Sequence, residues 1–134
     1  MDNTPERIVC IDDEQSMRTL MRDALENAGF EGALATCMSG EEFLNRFHEL
    51  QPDLILLDLL MPEMDGLEML RILKDEPDFD NMRVVMVTGV KKLVMTPEYK
   101  RLGVIGIIHK PFETSTLLKN IQDIWGAYKA EDTE

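Results

Sequence analysis

The sequence predicts an α/β fold in which an open sheet of five parallel strands is covered by helices on both faces. Short apolar runs alternate with amphipathic stretches along all 134 residues, which is the pattern of successive βα units. The length suits one domain with a core of its own. The apolar share of 44% and the charged share of 30% are close to globular averages, which argues against a disordered, collagen-like or disulfide-stapled chain.

Five apolar runs are predicted to be the strands, at residues 8–11, 33–35, 54–57, 84–87 and 104–108. Four of them are continuous enough to be covered on both faces of the sheet. The run at 33–35 is weaker, so we expect it at an edge. The domain should extend over residues 1–129, followed by a solvated acidic tail over residues 130–134.

The first two helices are defined by apolar periodicity and by residues that start or end helices. Residues 17–28 carry apolar side chains at i, i+3, i+4 and i+7 spacing, and Gly29 follows as a helix-ending glycine. The second helix should begin at Ser39, with Glu42 in capping-box spacing, and should stop before Pro52.

The later helices follow the same reasoning. The third should start near Gly66 and end before Pro77, and the last carries an apolar stripe over residues 117–128 that indicates core packing. The fourth is different, because Thr96-Pro97 suits an N-cap followed by the first helical position. We therefore expect a long loop from Gly89 and then a short helix.

Charge and cysteine usage exclude several classes of function. The 26 acidic and 14 basic residues give a formal charge of -12, which has the wrong sign for nucleic acid or an anionic membrane surface. The opening residues lack the features of a secretion signal, and no apolar run approaches the roughly 18 residues needed to span a bilayer. We expect a cytoplasmic protein without membrane insertion or direct nucleic-acid binding.

The cysteines and histidines do not indicate a zinc site. Cys10 and Cys37 lie in strand-like stretches, which suits buried, reduced thiols. The sequence has no CxxC pair, and His48 and His109 are isolated.

Polar residues follow four of the predicted strands. Asp12 and Asp13 come after the first strand, Asp58 after the third, Thr88 ends the fourth and Lys110 follows the fifth. In an open parallel sheet, functional groups gather where the strands end and the helices begin. We therefore expect these five side chains to meet at one edge of the sheet.

This set of groups indicates phosphoryl transfer. Closely packed carboxylates repel one another, and a divalent cation such as Mg²⁺, or Mn²⁺ in its place, relieves the repulsion. Lys110 supplies a positive charge for an incoming phosphoryl group, and the Thr88 hydroxyl can donate to one of its oxygens. Taken singly, Asp12 and Asp13 would suit helix caps and Lys110 a surface lysine. Their joint placement at one edge of the sheet favours a phosphoryl-transfer site.

The site residues and their neighbours resemble the receiver domain of response regulators, over essentially the whole chain. The resemblance rests on Asp12-Asp13, on Thr88, on Lys110-Pro111-Phe112 and on the run Asp58-Leu59-Leu60-Met61-Pro62-Glu63-Met64-Asp65-Gly66. It points to a chemotaxis-type single-domain receiver of two-component signalling. It implies a flavodoxin-like (βα)₅ fold with strand order 2-1-3-4-5.

The resemblance also implies a role for each site residue. Asp58 would accept a phosphoryl group from the phosphohistidine of a histidine kinase or a histidine phosphotransfer protein. Asp13, Asp58 and the backbone carbonyl of Leu60 would bind Mg²⁺, with Asp12 joining directly or through water. Thr88 and Lys110 would contact the phosphoryl oxygens, and Lys110 would sense phosphorylation, which switches binding to a downstream protein target. Such a protein catalyses its own phosphorylation and dephosphorylation and is not a metabolic enzyme.

Two positions, Ile107 and Pro97, depart from the common receiver pattern. Ile107 occupies a position where receivers commonly carry an aromatic residue that rotates on activation, so that rotation cannot operate here. Pro97 disturbs the fourth helix, on the face that receivers commonly use for partners. In receivers, the side chains two positions after the acceptor aspartate and two after the strand-four threonine flank the path of the water that hydrolyses the acyl phosphate. The resemblance places Leu60 and Val90 there, and because both are apolar we expect slow self-dephosphorylation.

Three alternatives differ in what they require of the chain. The sequence could be a receiver cut from a longer regulator with an output domain, or a pseudo-receiver that binds partners without being phosphorylated. A phosphatase of the haloacid-dehalogenase type also uses an aspartate nucleophile with Mg²⁺. That class requires a second carboxylate two residues after the nucleophile, where this chain has Leu60.

Overall fold

The strands form one fully parallel sheet, as the alternation of apolar runs and amphipathic stretches predicts. The computed structural model describes residues 4–61 and 64–132. The residues outside these ranges are Met1 to Asn3, Pro62 and Glu63 of the run from Asp58 to Gly66, and Thr133 and Glu134 of the expected tail. The strands are β1 (Arg7–Ile11), β2 (Ala33–Cys37), β3 (Leu54–Leu57), β4 (Arg83–Thr88) and β5 (Val104–His109). Their order in the sheet is β2-β1-β3-β4-β5, as the resemblance to receiver domains implies.

Five α-helices connect and follow the strands: α1 (Gln15–Asn27), α2 (Gly40–Leu50), α3 (Gly66–Leu73), α4 (Pro97–Arg101) and α5 (Leu117–Asp132). Short 3-10 turns lie at Phe79–Asn81 and Thr114–Thr116. Helix α5 continues through Asp132, into the segment expected to be a solvated tail. Residues 129–132 contain no glycine or proline that would end it.

Hydrogen bonds at the helix ends confirm the capping signals. The Ser39 hydroxyl accepts from the Glu42 N–H at 3.0 Å, and the Thr96 hydroxyl accepts from the Tyr99 N–H at 3.1 Å. The Glu42 carboxylate accepts from the Met38 N–H at 2.7 Å, one residue earlier than the capping-box spacing implies. After α1, Gly29 has a φ of 91°, a conformation that disfavours other residues. Helix α4 is short, begins at Pro97 after the Thr96 cap and follows the loop that starts at Gly89, as the sequence predicts.

The sheet separates two apolar layers. One lies against α2 and α3 and the other against α1 and α5. Side chains of β1 and β3 alternate between the layers and are buried on both faces, which holds the ends of these strands in place. Within the described residues, none of the helices has the length and apolar character that crossing a bilayer requires.

The edges of the sheet correct one expectation. Strand β2 lies at an edge, as its weak pattern predicts. Strand β5 forms the other edge, and Ile105 and Ile107 on it are only partly buried, so its apolar run is not covered on both faces. Apolar sequence alone does not distinguish an edge strand with a half-covered face from a central one.

Both cysteines are buried, free thiols, as the sequence indicates. Burial raises the pKa of Cys10 to about 12 and that of Cys37 to about 11. Both side chains therefore remain neutral at physiological pH.

Candidate functional site

Strand pairing brings the three predicted acidic residues together. Asp12 follows β1 and Asp58 follows β3, and these strands are neighbours. The Asp58 N–H donates to the Ile11 carbonyl at 3.1 Å, and the Asp12 N–H donates to the Cys37 carbonyl at 3.2 Å, so both residues continue the sheet ladder. Carboxylate oxygens of Asp12, Asp13 and Asp58 all lie within 4.8 Å of one another. We call these three residues the acidic triad.

The members of the acidic triad differ in their surroundings. Asp12 is fully buried, and its two oxygens accept from the Glu14 N–H at 2.9 Å and from the Lys110 ammonium at 2.8 Å. Asp13 is exposed, and none of the described residues donates a hydrogen bond to its carboxylate. Asp58 is 7% exposed, and its Oδ1 accepts from the Leu60 N–H at 3.2 Å.

Lys110 is the counter-charge of the acidic triad. Its Nζ lies 2.8 Å from Asp12 Oδ2 and 3.5 Å from Asp58 Oδ2. Burial alone would lower the pKa of Lys110, but the hydrogen bond and charge of Asp12, together with the charge of Asp58, raise it on balance. Burial raises the pKa of Asp58, and the charge of Lys110 and the Leu60 N–H oppose that shift. The lysine is therefore charged in the site.

Thr88 lies at the end of β4, between the ends of β3 and β5 in the sheet. It is fully buried, its carbonyl accepts from the Lys110 N–H at 2.8 Å, and the Lys110-Pro111 peptide is cis. The Thr88 hydroxyl oxygen accepts from the Val90 N–H at 3.2 Å. The hydroxyl keeps its own proton available to a further acceptor.

Gly66 allows α3 to begin next to Asp58. A Cβ at this position would lie 3.0 Å from the Asp58 carbonyl oxygen and 3.2 Å from the Leu57 side chain. The Gly66 N–H donates to the Leu59 carbonyl at 3.0 Å, which closes the turn. The sequence alone suggests that this glycine provides backbone freedom, but its role is close approach, because its φ is not positive.

Leu60 and Val90, the two apolar residues expected beside the acceptor, lie in the loops after β3 and β4. The Leu60 side chain is 66% exposed, and Val90 is partly buried. Their backbone N–H groups bond to Asp58 and Thr88, which places both residues next to the site. The binding of a cation by the Leu60 carbonyl stays a prediction.

Arg18 was missed at the sequence level. Its Nη1 donates to the backbone carbonyl of Asp12 at 2.7 Å, from the first turns of α1. The available signal was its position six residues after Asp12, which places it on the turn of α1 nearest the acidic residues. A contact between a side chain and a backbone carbonyl leaves no mark in composition or periodicity.

The donor set fits a divalent cation. The acidic triad offers only oxygen ligands, the type that Mg²⁺ prefers, and no thiol or imidazole belongs to the cluster. Three carboxylates and one ammonium leave a formal charge of −2, which a divalent cation neutralises.

The fold and the acidic triad with its lysine define a receiver-type module, and comparison with known proteins agrees. Residues 8–122 match the response regulator receiver domain, so the chain belongs to that family. It is 34% identical to sporulation initiation phosphotransferase F of Bacillus subtilis over 110 residues, which cover 81% of this chain and 84% of the relative. It is 29% identical to chemotaxis protein CheY of Thermotoga maritima over 119 residues, with 88% and 96% coverage.

A solved structure supports the same conclusion. Chemotaxis response regulator CheY4 of Vibrio cholerae superposes with a TM-score of 0.74 at 28% identity, covering 90% of this chain and 99% of that one. The chain is therefore a phosphoryl-accepting receiver domain of two-component signalling, a family in which phosphoaspartate and Mg²⁺ are typical. Because the chain belongs to the receiver family, the alternative of a haloacid-dehalogenase-type phosphatase is rejected.

Proposed function

We propose that Asp58 accepts the phosphoryl group, from the phosphohistidine of a histidine kinase or a histidine phosphotransfer protein. The observation that carries this choice is the contrast within the acidic triad. Asp12 is fully buried, and both its oxygens accept hydrogen bonds. Asp13 forms no ion pair with a lysine among the described residues, whereas Asp58 retains some exposure and lies 3.5 Å from Lys110 Nζ. Asp58 alone combines access with a cation for the incoming group.

The remaining residues serve the transfer in distinct ways. A carboxylate oxygen of Asp58 forms the bond to phosphorus while the phosphorus–nitrogen bond breaks and the imidazole leaves. Lys110 and the Thr88 hydroxyl offset the charge on the phosphoryl oxygens by charge-assisted and neutral hydrogen bonds. These groups are already in place at the strand ends, so the catalysis consists mainly of positioning and charge.

We propose that Asp12, Asp13, Asp58 and the Leu60 carbonyl hold Mg²⁺. When bound, this ion supplies positive charge against the repulsion between the carboxylates and the donor phosphate. The oxygen-only donor set and the charge balance support this assignment, and Mn²⁺ should substitute because it accepts the same ligands.

Phosphorylation should switch the binding of a downstream protein target. Lys110 is the candidate sensor, because it can exchange its contacts with Asp12 and Asp58 for a contact with the phosphoryl group. The complete acidic triad and its lysine favour this function over that of a pseudo-receiver. We infer a cytoplasmic location, which two-component signalling and the free thiols of Cys10 and Cys37 support.

Chemical phosphorylation tests the proposed acceptor. The protein is incubated with phosphoramidate or acetyl phosphate and Mg²⁺, and its intact mass is measured. We expect one added phosphoryl group in the parent, none in Asp58→Asn, and none in the parent when EDTA removes the cation.

The matched control is Asp75→Asn, the same chemical change at an exposed aspartate after α3, which should be modified like the parent. Equal modification of Asp58→Asn and the parent would assign the phosphate to another residue. A parent that stays unmodified while binding Mg²⁺ would instead indicate a pseudo-receiver.

A further inference from the structure

We propose that Arg18 is a positioning residue that fixes the Asp12–Asp13 peptide so that the Asp13 carboxylate faces the cation site. The inference rests on the proposed function, because it concerns the same acidic triad. It starts from the 2.7 Å hydrogen bond that the Arg18 guanidinium donates to the Asp12 carbonyl oxygen. This bond ties helix α1 back to the loop from which the helix begins.

The loop between β1 and α1 fixes its two aspartates unequally. Asp12 is held by four contacts: its N–H bonds to Cys37, its carboxylate oxygens to Glu14 and Lys110, and its carbonyl to Arg18. No described residue donates to the exposed Asp13 carboxylate. The position of the Asp13 side chain therefore depends on the backbone that leads into it.

The Arg18 bond acts on that backbone directly. The carbonyl of Asp12 and the N–H of Asp13 belong to one planar peptide unit, so a bond that orients the carbonyl also orients the N–H of Asp13. Side chains that orient ligands without touching the metal commonly change metal affinity about 10- to 100-fold when removed. Arg18 would likewise orient Asp13, a proposed ligand, without contacting the cation itself.

The charge of Arg18 has the opposite effect, which makes the two roles separable. The guanidinium is always protonated, and a positive charge near the acidic triad repels a cation. If Arg18 acted only through its charge, neutralising it would tighten Mg²⁺ binding. If it positions Asp13, neutralising it weakens Mg²⁺ binding.

The test compares Arg18→Met with Arg22→Met. Arg22 lies one turn further along α1, is partly buried like Arg18, and makes no hydrogen bond to the loop within the described chain. Mg²⁺ affinity is measured by calorimetry, and the Asp13 backbone amide is followed by NMR without metal. We expect about tenfold weaker Mg²⁺ binding and a shifted Asp13 amide in Arg18→Met, and a change within about twofold in Arg22→Met.

The variants also separate positioning from folding. Arg18→Lys keeps the charge but lacks the planar fork, and its Mg²⁺ affinity should lie between those of the parent and Arg18→Met. It also serves as the test variant if Arg18→Met does not fold. Unchanged or tighter Mg²⁺ binding in a folded Arg18 variant would overturn the inference and leave the proposed function standing. A parent that binds no Mg²⁺ would overturn the proposed function itself.

Discussion

Replacing Lys110 by methionine should destabilise the folded chain and, at the same time, tighten its binding of Mg²⁺. Methionine keeps most of the apolar stem and removes the charge. In the parent, the ammonium lies 2.8 Å from Asp12 and 3.5 Å from Asp58. Among the described residues, no other basic side chain bonds to a carboxylate of the acidic triad. The variant therefore leaves a fully buried Asp12 carboxylate without its counter-charge.

The size of the destabilisation follows from burial. Removing one partner of a buried ion pair costs about 3–5 kcal/mol. The Lys110 side chain is 15% exposed, so water replaces part of the lost contact and the lower end, about 3 kcal/mol, applies. For a domain of this size, about 4 °C in melting temperature corresponds to 1 kcal/mol. In EDTA, Lys110→Met should melt roughly 10 °C below the parent.

Mg²⁺ should restore much of this loss. The ammonium and the cation compete for the same carboxylates, so removing the ammonium should lower the Mg²⁺ dissociation constant about tenfold. A tenfold change corresponds to about 1.4 kcal/mol of additional stabilisation when Mg²⁺ is in excess over both dissociation constants. The difference in free energy of unfolding between Lys110→Met and the parent should therefore be about 1.4 kcal/mol smaller in excess Mg²⁺ than in EDTA.

Thermal and urea unfolding in EDTA measure the loss of stability in Lys110→Met. The same experiments in excess Mg²⁺ measure how much of that loss the cation restores. The control is Lys119→Met, which removes a lysine 3.1 Å from Asp123 in a pair that is mostly exposed. Exposed pairs contribute about 0–1 kcal/mol, so this variant should unfold close to the parent in both conditions. The reasoning fails if Lys110→Met melts with the parent in EDTA, or if Mg²⁺ stabilises the two proteins equally.

Two further predictions concern the metal and the lifetime of the phosphate. Asp13→Ala should weaken Mg²⁺ binding and abolish phosphorylation, because it removes a ligand that no other described group replaces; calorimetry showing equal Mg²⁺ affinity would contradict the ligand assignment. The phosphorylated parent should lose its phosphate slowly, and the double variant Leu60→Asn with Val90→Glu should lose it faster, because polar side chains can orient the attacking water. Phosphate loss is followed by intact mass after the donor is removed, and equal rates in the two proteins would refute the role of these side chains.

The sequence predicts the fold well because the spacing of apolar residues along the chain distinguishes strands from helices. Alternation of apolar runs with amphipathic stretches specifies βα units, and caps such as Ser39 and Thr96 mark the helix starts through local hydrogen bonds. The acidic triad follows from the same logic, because carboxyl ends of parallel strands share one edge of the sheet. The end of α5 was not predictable, since residues 129–132 are neither strongly apolar nor helix-breaking.

The sequence could not show contacts that depend on exact three-dimensional approach. The bond from Arg18 to the Asp12 carbonyl and the close approach of Gly66 to Asp58 arise only when the helices are docked. Ile107 lies against the apolar layer beside α2 and α3. Its partial exposure reflects the edge position of β5, which strand propensity does not encode.

The distances around Lys110 connect metal binding with signalling. The ammonium lies closer to Asp12 than to Asp58, so a contact with a phosphoryl group on Asp58 would draw it away from a fully buried carboxylate. An unpaired charge of this kind is costly, and a divalent cation beside Asp12 offsets the cost. Lysine movement should therefore be favourable only when the cation site is filled. We therefore expect Mg²⁺ to be required both for phosphorylation of Asp58 and for the movement of Lys110 that transmits the signal.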